Sequence, residues 1–94
     1  MSLKKIDVVI SGRVQGVGFR YYVLAKAEML GITGWVANLP GGEVKTVAVG
    51  DETQISDFLS YLKKGPSGAW IENIDYKIEN TDNIEFRGFD IKYW

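Results

Sequence analysis

KIDVVISGRVQGVGFRYYVLAKAEMLG, residues 5–31, changes its hydrophobic period midway, and that change decides the fold. Over residues 5–11, Ile6, Val8 and Ile10 share one face. Period two with β-branched residues predicts a strand. Gly12, Gly16 and Gly18 make residues 12–19 a loop. From Phe19 to Leu30 the apolar residues Phe19, Val23, Ala27 and Leu30 recur at spacings of three and four, the signature of one helix face. Gly31 then stands where a helix C-terminal glycine belongs.

Reading outward, residues 32–38 (ITGWVAN) predict a second strand and Glu43 to Val49 a third. The Pro-Gly turn from Leu39 to Gly42 joins them as a hairpin. Asp51 is placed to cap a second helix, with Gln54 completing a box-like arrangement. Ile55, Phe58, Leu59 and Leu62 form its stripe, and Gly65-Pro66 ends it. Trp70 to Ile78 alternates as a fourth strand, with Glu72 interrupting its apolar face. A polar loop, Glu79 to Glu85, precedes a short last strand marked by Phe89, Ile91 and Tyr93. Trp35, Phe58, Trp70 and Phe89 are expected in the core. The order β-α-β-β-α-β with an added C-terminal strand predicts an α+β, ferredoxin-like sandwich: two helices on one face of an antiparallel sheet. A chain of 94 residues, 46% hydrophobic and free of linkers or repeats, fits a single domain over residues 1–94.

The composition narrows the chemistry. The chain has no cysteine and no histidine. Disulfides, thiolate or imidazole metal sites, cysteine nucleophiles and Ser-His-Asp triads are therefore excluded. Ser11, Ser56, Ser60 and Ser67 lack a histidine to activate them. No metal site is expected, since Glu43, Asp51, Glu52 and Asp57 read as caps and solvated faces. A net charge of −1 argues against nucleic acid as a partner. An RNA recognition module would also need stacking aromatics that KIDVVIS and EVKTVAV do not supply. No apolar run approaches the ~20 residues of a membrane span, and the N-terminus leads into a strand pattern rather than a signal peptide. A cytoplasmic location with no membrane partner is the expectation.

Three features single out residues 12–20. The loop feeds a helix N-terminus, whose first N–H groups lack intrahelical partners. Gly16 and Gly18 allow those groups to converge on an anion. Arg20 stands in the first helical turn, where a cation opposes the macrodipole unless an anion lies between them. Two readings stand on these residues alone: an anion cradle, or a tight strand-to-helix connection with Arg20 in solvent. It is not a Walker A loop, because no Gly-Lys-Ser/Thr is present. Tyr21 occupies the place of the third glycine of a dinucleotide fingerprint. Asn38, before the turn, reads first as an ordinary turn residue.

The string GRVQGVGFR, with Ala27, Leu30-Gly31, Gly34-Trp35-Val36, Asn38, Gly50, Phe58 and Gly65-Pro66, closely resembles the acylphosphatase family over nearly the whole chain. The resemblance implies hydrolysis of a small-molecule acyl phosphate to a carboxylate and inorganic phosphate, with no cofactor. It places the phosphate-binding loop on Val14, Gln15, Gly16, Val17, Gly18 and Phe19, the catalytic arginine on Arg20 and the water-positioning asparagine on Asn38. Ala37 and Gly41 depart from the family pattern, where a basic residue and Asp are common. The chemistry is compatible with the composition. A carboxylate of pKa ~4 leaves without a general acid, and phosphoryl transfer depends on positioning and charge stabilisation. Inorganic phosphate or sulfate is expected to compete with substrate. Tyr21 and Tyr22 are placed to border the mouth or to pack. A monomer is expected, with the edge at Tyr93 and Trp94 as the place for a dimer contact. The alternative is a non-enzymatic anion-binding domain of the kind fused within larger maturation enzymes.

Overall fold

The computed structural model describes residues 3–93, and in it the predicted period change separates β1 (Leu3–Arg13) from α1 (Phe19–Leu30). There follow β2 (Thr33–Asn38), β3 (Val44–Asp51), α2 (Glu52–Lys64), β4 (Trp70–Thr81) and β5 (Phe89–Lys92). The sheet order is β4-β1-β3-β2-β5. The first four strands pair antiparallel with one another, as the split βαβ layout requires. Ile6, Val8 and Ile10 are fully buried, and Ala48, Thr46 and Val44 of β3 lie directly opposite them. The core face therefore runs unbroken across the two central strands. α1 packs over β2 and β5, and α2 over β3 and β1.

The sheet is mixed rather than wholly antiparallel, because the added strand runs parallel to β2. The direction follows from the path. β1 and β2 run the same way, each antiparallel to β3, while β4 runs against β1. Residues 82–88 carry the chain from the β4 edge to the free edge of β2. A strand that then reverses direction necessarily runs with β2.

Glu72 interrupts the apolar pattern for a local reason. The β1–β4 register shifts between Ser11 and Gly12, so that Ser11 opposes Asn73 while Gly12 opposes Ile71. Glu72 is the extra residue of a β-bulge, and bulges switch which side chains face inward. Ile74 packs against the core on one side of the shift and Ile71 on the other. Trp70 consequently turns outward and is 70% exposed, contrary to its expected place in the core. β4 is also the edge strand, only partly covered by α2, which leaves Tyr76 and Ile78 exposed on the core side of the sheet. Trp35 sits on the open face of β2, half-buried, with Lys92 Nζ 4.8 Å from its ring centroid. Phe58 and Phe89 do enter the core and meet edge-to-face at 6.1 Å.

Both helices are closed as their sequences suggest. The Gly31 N–H donates to the Ala27 and Glu28 carbonyls. At α2 the Gln54 N–H donates to Asp51 Oδ1 and the Asp51 N–H to Gln54 Oε1, each at 2.8 Å. Gln54 Nε2 also donates to the Leu30 carbonyl, tying the start of α2 to the end of α1. Among the described residues no helix is long and apolar enough to cross a membrane.

Candidate functional site

β1 and β2 point to the same end of the sheet, so the loop that follows β1 and the last residue of β2, Asn38, meet there. Asn38 lies opposite Val44, which in turn lies opposite Ile10. Its side chain therefore rises on the helix-covered face, on the side of the loop. Val14 and Phe19 are buried at the two ends of the loop, and Val17 packs against the core between them. These three apolar anchors leave Gly16 and Gly18 outside, in left-handed conformations with φ of 74° and 76° that only glycine adopts readily.

The Gln15 side chain holds the loop to the β2–β3 hairpin. Its Nε2 donates to the Leu39 carbonyl at 2.8 Å and the Glu43 carbonyl at 2.9 Å. Any contribution of Gln15 to an anion thus falls to its backbone. Each carbonyl keeps a second donor within the turn, from Gly42 N–H at 3.1 Å and Leu39 N–H at 2.8 Å. Gln15→Ala is accordingly expected to cost only about 0.5–1.5 kcal/mol in denaturant unfolding. It frees the loop from the hairpin, and ordering even one residue's backbone anew is worth about a tenfold loss in the affinity for inorganic phosphate, measurable by titration.

A cavity of about 120 Å³ opens between loop and hairpin. Val14, Gly16, Gly18, Phe19, Arg20 and Asn38 line it, together with Tyr21, whereas Gln15 and Val17 do not. One water needs roughly 10–15 Å³ on this measure, so a phosphate-sized anion has room. α1 has no side-chain cap and no acid in its first turn. Its first intrahelical bond runs from Tyr22 N–H to the Gly18 carbonyl, which leaves the amides of residues 19–21 without helical partners. Arg20 makes no ion pair or side-chain hydrogen bond among the described residues; its guanidinium lies over the Tyr93 ring, 5.0 Å from the centroid. Asn38 Oδ1 is buried with no protein partner, a state that costs about 1–3 kcal/mol unless a ligand or water donates to it. The pocket thus combines unused donors, a free cation and one buried acceptor.

The two tyrosines part company. Tyr21 lines the pocket, while the Tyr22 hydroxyl donates to the Tyr61 carbonyl at 2.9 Å and its ring meets Phe19 edge-to-face. Burial pushes the Tyr22 hydroxyl above its ordinary pKa. The approach of Tyr93 to Arg20 had no signal in the chain beyond an aromatic at its end. Trp94, paired with Tyr93 in the expected edge contact, lies outside the described residues. Of the two departures from the family pattern, one has a local reason. Ala37 pairs with Lys45 on one side and Lys92 on the other, so a basic side chain there would crowd like charges. At Gly41 a Cβ would meet only the carboxylate end of the flexible Glu43 side chain, so nothing in the structure explains glycine there.

Comparison with known proteins points one way. The acylphosphatase family model matches residues 6–91. An acylphosphatase of Acaryochloris marina is 45% identical over 92% of this chain and 90% of its own length. One from Archaeoglobus fulgidus is 42% identical over 94% and 97%. The crystal structure of the Bacillus subtilis acylphosphatase superposes with a TM-score of 0.86 at 32% identity, covering 96% of this chain and 99% of that one. Full-length HypF, in its phosphate- and nucleotide-bound form, matches 99% of this chain over 12% of its own, with a TM-score of 0.85 and 27% identity.

Proposed function

This chain belongs to the acylphosphatase family, and from that premise we propose that Arg20 and the loop Val14–Phe19 bind the phosphoryl group of an acyl phosphate while Asn38 aims the attacking water. The family is one of hydrolases acting on small-molecule acyl phosphates. The observation that carries the residue assignment is the meeting, on one small pocket, of the unpaired Arg20 guanidinium and the unpartnered Asn38 amide oxygen.

The backbone amides at the start of α1 and the guanidinium of Arg20 hold the phosphoryl oxygens, where charge is greatest in the transition state. Arg20 contributes a planar fork that matches two oxygens at once. A water held by Asn38 Oδ1 attacks phosphorus from the side away from the acyl oxygen. The bond from phosphorus to that oxygen breaks, and its electron pair leaves on the carboxylate. One water proton passes to a phosphoryl oxygen, so that an acyl phosphate dianion and water become a carboxylate and dihydrogen phosphate. Asn38 orients the water but takes no proton, having negligible basicity. The same reading takes the single domain 1–94 as a cytoplasmic monomer that works without metal or other cofactor.

The test is turnover of a synthetic acyl phosphate in the presence of a chelator. Wild type is expected to turn over, with inorganic phosphate or sulfate as competitive inhibitor. Asn38→Ala is expected to lose about 10²-fold in kcat, the effect of losing near-attack positioning, with phosphate affinity nearly unchanged. Unimpaired turnover by a folded Asn38→Ala protein would return Asn38 to a turn role. The likeness to a short tract of HypF favours a second reading, a phosphate-binding domain without turnover; phosphate binding by a wild type inert toward acyl phosphate would support it.

A further inference from the structure

The added strand has no part in the mechanism described so far, yet it ends at the site. The last β2–β5 pair is Ala37 with Lys92, so the next residue on each strand, Asn38 and Tyr93, reaches the pocket end of the sheet together. The Tyr93 ring there takes one face of the Arg20 guanidinium at 5.0 Å, and its hydroxyl lies beside that of Tyr21, which lines the pocket. We infer that Tyr93 is a positioning residue, which holds the Arg20 plane so that its N–H edges stay turned to the anion.

The chemistry favours a ring for this task. An arginine side chain loses rotamer freedom when it grips a ligand, and prior restraint reduces that loss. A carboxylate could restrain it, but would occupy the same N–H edges and neutralise the same charge that the phosphoryl group needs. An aromatic face attracts the cation through its quadrupole and leaves both edges free. Tyr93 is also the residue at which β5 hands over from pairing with β2 to contact with α1, so its placement depends on the strand itself.

The inference rests on the assignment of Arg20 to phosphoryl binding, and the experiment separates the two. Inorganic phosphate affinity, KM and kcat are measured for Tyr93→Leu, Tyr93→Phe, Arg20→Ala and the Arg20→Ala/Tyr93→Leu double variant. Tyr93→Leu is expected to weaken phosphate binding and lower kcat/KM by about 2- to 5-fold, the range of an exposed cation–π contact. Tyr93→Phe, which keeps the ring, restores both. In the Arg20→Ala background, Tyr93→Leu changes nothing further. Wild-type parameters in Tyr93→Leu, beside an impaired Arg20→Ala, would overturn this inference alone. A Tyr93→Leu loss of the same size in the Arg20→Ala background would overturn it too, since Tyr93 would then act through the fold. Wild-type phosphate affinity and kcat/KM in Arg20→Ala would overturn the site assignment and this inference with it.

Discussion

Arg20→Ala is expected to lower kcat/KM by about 10³-fold, with Arg20→Lys recovering little of it. One preorganised donor at a developing oxyanion is worth about 10²–10³ in rate, and a phosphate-clamping arginine up to about 10⁵. Lysine brings the charge but neither the fork nor a flat face for Tyr93. The same substitution leaves the fold intact. Arg20 makes no ion pair among the described residues and stands at the positive end of α1. Removing it there relieves the opposition to the macrodipole and gives up the contact with the Tyr93 ring, two effects of similar size and opposite sign, so stability should change by no more than about 1 kcal/mol. A kinetic comparison alongside thermal melts checks both halves. Arg20→Ala that turns over like wild type removes Arg20 from the site; a protein that has lost activity only by unfolding leaves a lowered melting temperature as its mark.

Gly34→Ala is expected to do the reverse, wrecking the fold without touching the site directly. Gly34 sits in β2 with φ 150°, a conformation that L side chains rarely adopt. A Cβ there would stand 1.9 Å from the Val47 carbonyl oxygen and 2.8 Å from Ala48 Cα, both backbone atoms of the paired strand β3. Neither can step aside without opening the ladder. The Gly34 N–H also donates to the Gly88 carbonyl at 2.8 Å, so the start of β5 is pinned at the same residue. Backbone strain of about 1–3 kcal/mol and a clash of similar size together remove roughly 3–5 kcal/mol. That is a large fraction of the ~5–15 kcal/mol of a typical domain. The melting temperature should fall by more than about 12 °C; a fall of only a few degrees would contradict the β2–β3 pairing described here.

Legibility varied with the range over which each feature is determined. The switch from period two to helical spacing at Phe19, the Asp51–Gln54 box and the hairpin turn are set by neighbours in the chain, and the structure has them where the pattern puts them. Arg20 and the loop glycines stand out in the sequence as a candidate site because a cation at a helix start is locally unfavourable, and the structure sets them on one pocket. Asn38 looked like any residue before a Pro-Gly turn, since its face is set by register against Val44 and Ile10 rather than by its surroundings in sequence. Trp70 was misplaced because one extra residue, Glu72, shifts the inward face, and alternation alone cannot show a bulge. The clamp from Gln15 to Leu39 and Glu43 joins segments more than twenty residues apart, and nothing local to Gln15 announces it. The parallel pairing of β5 depends on the route of a whole connection.

That pairing also bears on how the molecule assembles. Docking β5 on β2 closes a loop that contains the hairpin, α2 and the whole of β4. The entropy of such a closure is met in full before its contacts form, as it is for the still longer β1–β4 pairing, but β5 has only four residues with which to offset it. The strand is four residues long, hydrogen-bonded to a neighbour on one side only, with Phe89 against Phe58 as its main anchor. Short edge elements of this kind open at free energies below that of global unfolding. Amide exchange should therefore find the Gly34–Ala37 rim of β2 less protected than the Ile6–Ile10 centre of the sheet. The ring beside Arg20 is thus expected to be among the first groups released as the chain loosens.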